Sequence, residues 1–293
     1  VKIVVSGGSG FLGAPLVKRL AARGHDVAVL TRDPARGVEW HPPRQGAWSA
    51  RVAEADVVIN LAGENVGEGR WTDSRKQRLV SSRLDATHAL VEAMQSNLAK
   101  HRTFISASAS GFYGLLGDEV VDESAPRGEG FLAELTEKWE AAARDAIPFA
   151  RVVIVRLGVV LERSGGALKK MLLPFQLGVG GPIGSGKRWL SWVDREDALR
   201  AIEWAIDNDA ARGIYNVTAP NPVRSRDFAR AFGRAIHRPA LLPTPALPLR
   251  LVFGQMADEA LLGGQRVVPN HLIAEGFTFQ YPSIEKSFAH IFG

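Results

Sequence analysis

Along the first half of the chain, apolar and polar positions follow two alternating rhythms. Continuous apolar runs rich in valine and isoleucine occur at Lys2–Val5, Asp26–Leu30, Asp56–Leu61, Thr103–Ala107 and Ala150–Leu157. Runs that are apolar throughout, rather than at every second position, predict strands covered on both faces, as in a parallel sheet. Between them, Leu12–Ala22, Thr72–Gln95 and Phe131–Asp145 carry apolar residues at helical spacing. In the second of these, Leu79, Arg83, Thr87, Leu90, Val91 and Met94 fall near one face. The alternation predicts βαβ units and an α/β fold of the Rossmann type, a doubly wound parallel sheet.

Past Gly158 the elements shorten. Glycines crowd into Gly178–Gly186, Pro239–Leu249 reads as an extended proline-rich crossover, and Leu249–Gly293 reads as several short helices. The expected organisation is a dinucleotide-binding core over residues 1–160, to which 190–218 contribute. A smaller, discontinuous C-terminal cap is expected from 161–189 and 219–293, on the substrate side. No amphipathic docking helix or exposed hydrophobic segment is evident.

Composition narrows the chemistry. With no cysteine, disulfides, thiolate metal sites and cysteine nucleophiles are excluded, and the seven histidines are never paired at ligand spacing, so no metal site is expected. His41, His101 and His271 read as surface residues. A net charge of +5 raises nucleic acid or a small anion as a partner. The basic residues alternate with acids, as at Arg195-Glu196-Asp197, instead of forming a stripe, so no nucleic-acid partner is expected. The chain opens on a strand, and no apolar run approaches the ~20 residues that cross a bilayer. A cytoplasmic protein with a small-molecule substrate and no membrane partner is the expectation.

The strongest local signal is Ser6-Gly7-Gly8-Ser9-Gly10-Phe11-Leu12-Gly13, which follows one strand and opens a helix. Gly7 permits the tight turn, Gly10 lets a pyrophosphate approach the backbone at the helix N-terminus, and Gly13 lets the helix pack closely. Pro15 is tolerated in a first helical turn. At the end of the second strand, where an acid would bind the adenosine ribose of NAD, the chain reads Thr31-Arg32-Asp33. Arg32 suits a 2′-phosphate and Thr31 adds a hydroxyl, which points to NADP(H); Asp33 reads as a helix cap.

These motifs, with Asn60-Leu61-Ala62-Gly63-Glu64-Asn65 and Ser106-Ala107-Ser108-Ala109-Ser110-Gly111-Phe112-Tyr113-Gly114, resemble the extended short-chain dehydrogenase/reductases. The stretch from Gly254 through Pro269, and Gly276–Pro282, are similar to the C-terminal domain of an atypical subgroup. Its members are called epimerase family proteins and are sometimes labelled cell-division inhibitors or nucleoside-diphosphate-sugar epimerases. The resemblance implies cofactor contacts at Gly7, Ser9, Gly10, Phe11, Leu12, Leu61, Ala62, Gly63, Ser106, Leu157 and Gly158. It places Ser108, or else Ser106, at the catalytic Ser/Thr position, and Arg83 where an active-site Asn is usual. A homodimer through the long core helices is implied only by analogy.

One departure matters. The class uses a Tyr and a Lys one helical turn apart, the Tyr moving the proton and the Lys lowering its pKa. Here the helix reads Phe131-Leu132-Ala133-Glu134-Leu135-Thr136-Glu137-Lys138, and neither member is present in either register. Ser108, Tyr113 and Arg83 are the remaining candidates for catalysis, with Glu64 and Asn65 nearby. Trp189 and Trp192 either stack on a substrate ring or lie buried under the cap, and Lys187 and Arg188 can meet phosphates. Two readings stay open: an NADP(H)-dependent oxidoreductase or epimerase with an unusual proton donor, and a cofactor-dependent sensor that binds a partner without turnover.

Overall fold

The computed structural model describes all residues, Val1–Gly293. Its central sheet has seven strands: β1 (Lys2–Ser6), β2 (Asp26–Thr31), β3 (Val38–Glu39), β4 (Val57–Asn60), β5 (Thr103–Ala109), β6 (Arg151–Leu157) and β7 (Gly213–Val217). All pair in parallel, in the order β7-β6-β5-β4-β1-β2-β3. The order reverses direction between β1 and β4, the switch point at which a doubly wound sheet opens a crevice.

Continuous apolar strands are explained by burial on both faces. Ile3, Val5, Ile59, Ile105 and Val153 share one core with Leu16 and Leu20 of α1 (Gly13–Ala22). Val4, Val58, Phe104 and Ile154 pack on the other face. There they meet Val52 of α2 (Trp48–Glu54) and Leu90 and Met94 of α3 (Asp73–Gln95), with Ala143 of α4 (Phe131–Arg144). Each fully buried aliphatic side chain contributes about 1.5–3 kcal/mol. α3 begins on Thr72, whose hydroxyl accepts from the Arg75 N–H at 3.2 Å. The outward faces of α3 and α4 are polar, with Gln77, Arg78, His88, Glu134 and Lys138 exposed.

The cap has a core of its own. Phe175 of α5 (Gly166–Gln176) meets Phe232 of α7 (Ser225–Ala235) at 4.5 Å between ring centroids, with α6 (Arg195–Asp207) between them in sequence. Phe232 stacks on Phe288 near the C-terminus at 5.4 Å. The proline-rich connector is shorter than its composition suggests. It stays extended only to Pro245, and α8 (Ala246–Phe253) begins at once, with Pro248 in its first turn where a missing N–H costs nothing. A π-helical turn (Ala257–Leu262), α9 (Asn270–Ala274) and α10 (Ile284–Phe292) complete the chain. No helix is long and apolar enough to cross a membrane.

Candidate functional site

The glycine loop lies at the switch point. Gly7 has φ +71°, and a Cβ there would come within 2.7 Å of the Leu61 carbonyl, so the loop is pressed on the end of β4. The Gly10 N–H donates to Gly7 O at 3.0 Å and closes the turn. A Cβ on Gly13 would fall 2.1 Å from Gly7 O, which is why α1 reaches the loop only as glycine. Gly10 differs from both. A Cβ there would meet only Gly7 O, at 3.1 Å, so its other side is open to a ligand.

Phe11 turns from the loop to the cap: a Cβ on Gly165 would lie 2.5 Å from its ring. The ring pins the start of α5, which leaves the backbone as this residue's means of meeting a pyrophosphate. Ser9 and Gly10 are exposed, and Leu12, Leu61, Ala62, Leu157 and Gly158 are half-buried along the carboxyl edge of the sheet, with Gly63 exposed beside them.

At the end of β2, Asp33 is turned away from any ribose. Its carboxylate caps the turn Pro34–Arg36 through the Ala35 N–H at 3.1 Å and pairs with Arg36 at 3.2 Å. The Thr31 hydroxyl accepts from the Asp33 N–H at 3.1 Å, so it shapes the turn. Arg32 is exposed and has no carboxylate at ion-pair distance.

The candidate catalytic hydroxyls take a different place from the one expected. The Ser108 hydroxyl donates to Glu140 Oε1 at 2.7 Å. Glu140 receives Arg156 through two bonds, at 2.7 and 2.9 Å. Arg156 Nη1 donates to the Tyr113 hydroxyl at 2.9 Å, which donates to Asn216 Oδ1 at 2.7 Å. Ser108, Glu140, Arg156, Tyr113 and Asn216 are all at most 2% exposed. Burial raises the Tyr113 pKa despite the neighbouring Arg156 charge, so the phenol stays neutral. For Arg156, burial is outweighed by the hydrogen bonds and charge of Glu140, and its pKa rises. Ser108 and Tyr113 are therefore removed from the cleft: they belong to a closed polar chain that ties β5, β6, β7 and α4 together. Ser106 is 1% exposed and stands in register beside Asn60, the last residue of β4. The serine at the mouth of β5 is Ser110, 8% exposed, whose carbonyl accepts from Gln265 Nε2 at 2.7 Å.

Arg83 sits behind the loop after β4. A Cβ on Gly63 would lie 3.0 Å from its Cζ. Nη1 donates to Leu79 O at 3.0 Å and Nη2 to Glu64 O at 2.9 Å, while the Trp139 ring lies 5.0 Å from Cζ. Arg83 makes no ion pair, and the nearby Glu64 carboxylate binds Arg75 instead. Burial pushes the Arg83 pKa down to about 10, which still leaves a positive charge at neutral pH.

Where the class keeps its Tyr and Lys, the wall is apolar. Trp71, Leu79, Leu135 and Met256 form a cluster joined by Val66, Phe131, Leu132, Phe253 and Leu261. The Thr136 hydroxyl bonds back to Leu132 O at 2.8 Å, and Lys138 is exposed. The C-terminal segment completes this region. Glu259 accepts from the Phe131 and Leu132 N–H groups at 3.1 and 2.9 Å, placing a carboxylate on the positive end of α4. Sequence reasoning missed Glu259 and Gln265 because their partners lie more than a hundred residues away.

The two tryptophans separate. Trp192 is fully buried, with its indole N–H donating to Asn221 O at 3.1 Å. Trp189 is half-buried, with Arg224 and Arg266 each 4.5 Å from its ring and its N–H on Asp118 at 2.8 Å. Arg188 donates to Gly263 O at 3.1 Å, yet its Nε and that of Arg266 are inaccessible and unpaired. Burial holds the Arg188 pKa down at about 10. Arg188 and Arg266 are both half-buried as whole residues.

A parallel sheet with a glycine turn and a basic second-strand end at its switch point defines a dinucleotide-binding protein of the short-chain dehydrogenase/reductase type. The chain belongs to the NAD dependent epimerase/dehydratase family, whose model matches residues 3–218; residues 244–291 match a domain of unknown function, DUF1731. It is 40% identical over 292 residues to an epimerase family protein of Mycobacterium tuberculosis, covering 98% of this chain and 96% of the relative. It is 38% identical to the epimerase family protein YfhF of Bacillus subtilis, covering 97% and 96%. The crystal structure of human epimerase family protein SDR39U1 with NADPH superposes with a TM-score of 0.90 at 35% identity, covering 99% of both chains.

Proposed function

We propose that this protein is an NADP(H)-dependent oxidoreductase acting on a small anionic carbonyl compound without the usual Tyr-Lys pair. The observation that carries the cofactor is the open Gly10 side of the glycine turn beside an exposed, unpaired Arg32. The human relative crystallised with NADPH supports it. The residues fit that group: Ser9, Gly10 and the α1 N-terminus for the pyrophosphate, Arg32 for the 2′-phosphate, and Leu61–Gly63 with Leu157 and Gly158 for the nicotinamide half. When bound, the cofactor supplies or accepts hydride.

The protein's own part is positioning. The half-buried Arg188 and Arg266 guanidiniums bring positive charge suited to an anionic group on the substrate. Epimerisation through the cofactor takes hydride from a carbinol carbon while a base takes the hydroxyl proton, then returns both after the transient carbonyl turns over in the site. Oxidoreduction needs only one such transfer. The Leu132–Thr136 face holds no acid–base group for either, and a single hydride transfer with the hydroxyl proton exchanged with water asks least of the site. Incubating the protein with NADPH and a panel of 2-keto acids and phosphorylated ketones tests this. NADPH should be oxidised above the protein-free rate, and Arg188→Met should raise KM for the active compound. A flat trace across the panel would favour the partner-binding sensor, a reading supported by the sequestered Ser108 and Tyr113 hydroxyls.

Cofactor choice has its own expected outcome. Arg32→Ala removes charge-assisted bonds worth about 1.5–3 kcal/mol, so the Kd for NADPH should rise roughly 10- to 150-fold. NADH affinity should stay unchanged in calorimetric titration. Equal losses for both would place the 2′-phosphate elsewhere.

A further inference from the structure

Contrary to the expectation from sequence, the cap carries an exposed hydrophobic segment. No residue of α8 is buried, although Leu247, Leu249, Leu251 and Val252 leave it with one charge, Arg250. Leu241, Leu242, Leu247, Leu251 and Val252, together with Leu173, Leu177 and Val179 at the end of α5, are each more than half exposed. The two stretches share one surface. Thr244 N–H donates to Pro182 O and Gly184 N–H to Thr244 O, both at 2.9 Å, and Gly181 packs against the Leu242 carbonyl so closely that a Cβ would fall 2.1 Å from it. That surface flanks the loop after β4, which Lys170 holds through Gly67 O at 2.6 Å, while Arg70 reaches Leu251 O at 3.3 Å.

We propose that this surface docks the protein on an anionic lipid bilayer, beside the entrance to the cofactor cleft. Its charge carries the assignment. Arg230, Arg234, His237 and Arg238 line an open groove together with Leu241, and Arg238 reaches the end of α5 through Gln176 O at 3.1 Å. The acids on this rim, Asp227 and Glu285, stand 3.8 and 3.6 Å from their arginines, loose exposed pairs that neutralise little. A ridge of aliphatic side chains with a basic rim is the pattern of an interfacial membrane contact. Protein interfaces are anchored by Trp, Tyr and Arg in pockets, with Leu and Val under-represented at hot spots, and the ridge has no aromatic residue. A second copy fits poorly, because a two-fold contact brings the same arginines face to face. The expectation of no membrane partner rested on the lack of a spanning segment, which has no bearing on a surface contact.

The test is sedimentation of the full chain, loaded with NADPH, with vesicles of phosphatidylcholine alone or mixed with phosphatidylglycerol. The protein should pellet with the mixed vesicles only, and high salt should release it. Leu247→Glu with Leu251→Glu should weaken pelleting by about tenfold or more, since two buried aliphatic anchors are lost. Arg234→Glu with Arg238→Glu should do so independently, and both pairs should keep wild-type NADPH affinity. Wild-type protein that stays in the supernatant overturns the proposal, as does undiminished pelleting of both variants. A solution dimer split by the leucine changes would assign the surface to a second copy. Capture of polyglutamate without vesicle binding would assign it to an acidic protein; either result also overturns the membrane assignment.

Discussion

Glu140→Gln is expected to lower the unfolding free energy by about 3–5 kcal/mol, because it strips the Arg156 guanidinium of its carboxylate inside the protein. Arg156 is 1% exposed, with its Cζ 3.4 Å from the Phe112 ring centroid, so water cannot replace the lost charge. The loss should appear as a fall in Tm on the order of 10 °C. Removing both partners, as in Glu140→Gln with Arg156→Met, should recover part of the loss, since an apolar pair of similar volume leaves no stranded charge. Ser108→Ala should cost less, because only one hydrogen bond to Glu140 goes with it. The series separates structure from catalysis. If Ser108 worked on substrate, Ser108→Ala would abolish turnover and leave Tm alone; the geometry predicts a modest Tm loss with turnover retained. A Glu140→Gln protein melting within a degree or two of the parent would show that the chain of bonds is not closed.

The same residues show what a sequence can and cannot carry. The glycine loop, the strands β1, β2, β4, β5 and β6, and the helices α1, α3 and α4 were legible because their signals are local. They rest on a turn that needs glycine, on apolar runs covered on both faces, and on apolar residues recurring at helical spacing. Ser108 was misplaced for a reason of pleat. Side chains of a strand alternate between faces, so Ser108 shares the Ser106 face and turns to α4, and the serine nearest the strand's mouth falls on the short helical turn Ser110–Tyr113 beyond it. No spacing rule reveals which of three serines ends a strand one residue early. The same turn carries Tyr113 inward to Arg156, so the phenol nearest the mouth of β5 lies out of reach of the cleft.

The C-terminal contributions were invisible for another reason. Glu259 meets the N-terminus of α4, and Gln265 meets Ser110, across intervals of 127 and 155 residues. Their resemblance to a family-specific terminal domain located them without assigning them work. The exposed ridge was hidden by its prolines. Pro245 and Pro248 read as breakers, yet the one before the helix and the other in its first turn are the positions where a helix accepts them.

Gly10→Val is expected to abolish dinucleotide binding, raising the Kd for NADPH by at least about 100-fold, while the unliganded protein stays folded. The two halves of that expectation come from different contacts. A side chain at Gly10 would occupy the open face where a pyrophosphate approaches the backbone and the α1 N-terminus. Within the protein its Cβ would meet only Gly7 O at 3.1 Å, a contact relieved by a shift of a few tenths of an ångström. Gly13→Ala is the contrasting control, since its Cβ would fall 2.1 Å from Gly7 O and 2.7 Å from the Gly8 Cα. Backbone must move there, so this variant should lose stability with or without cofactor. Differential scanning fluorimetry reads both effects. NADPH at a hundred times its Kd stabilises the parent by about 2.7 kcal/mol, a rise in Tm that Gly10→Val should lack while keeping the parent's Tm without ligand. A Gly10→Val protein that NADPH still stabilises would mean that the ligand does not cross the glycine turn, and the assignment of the switch-point crevice as the cofactor site would fall with it.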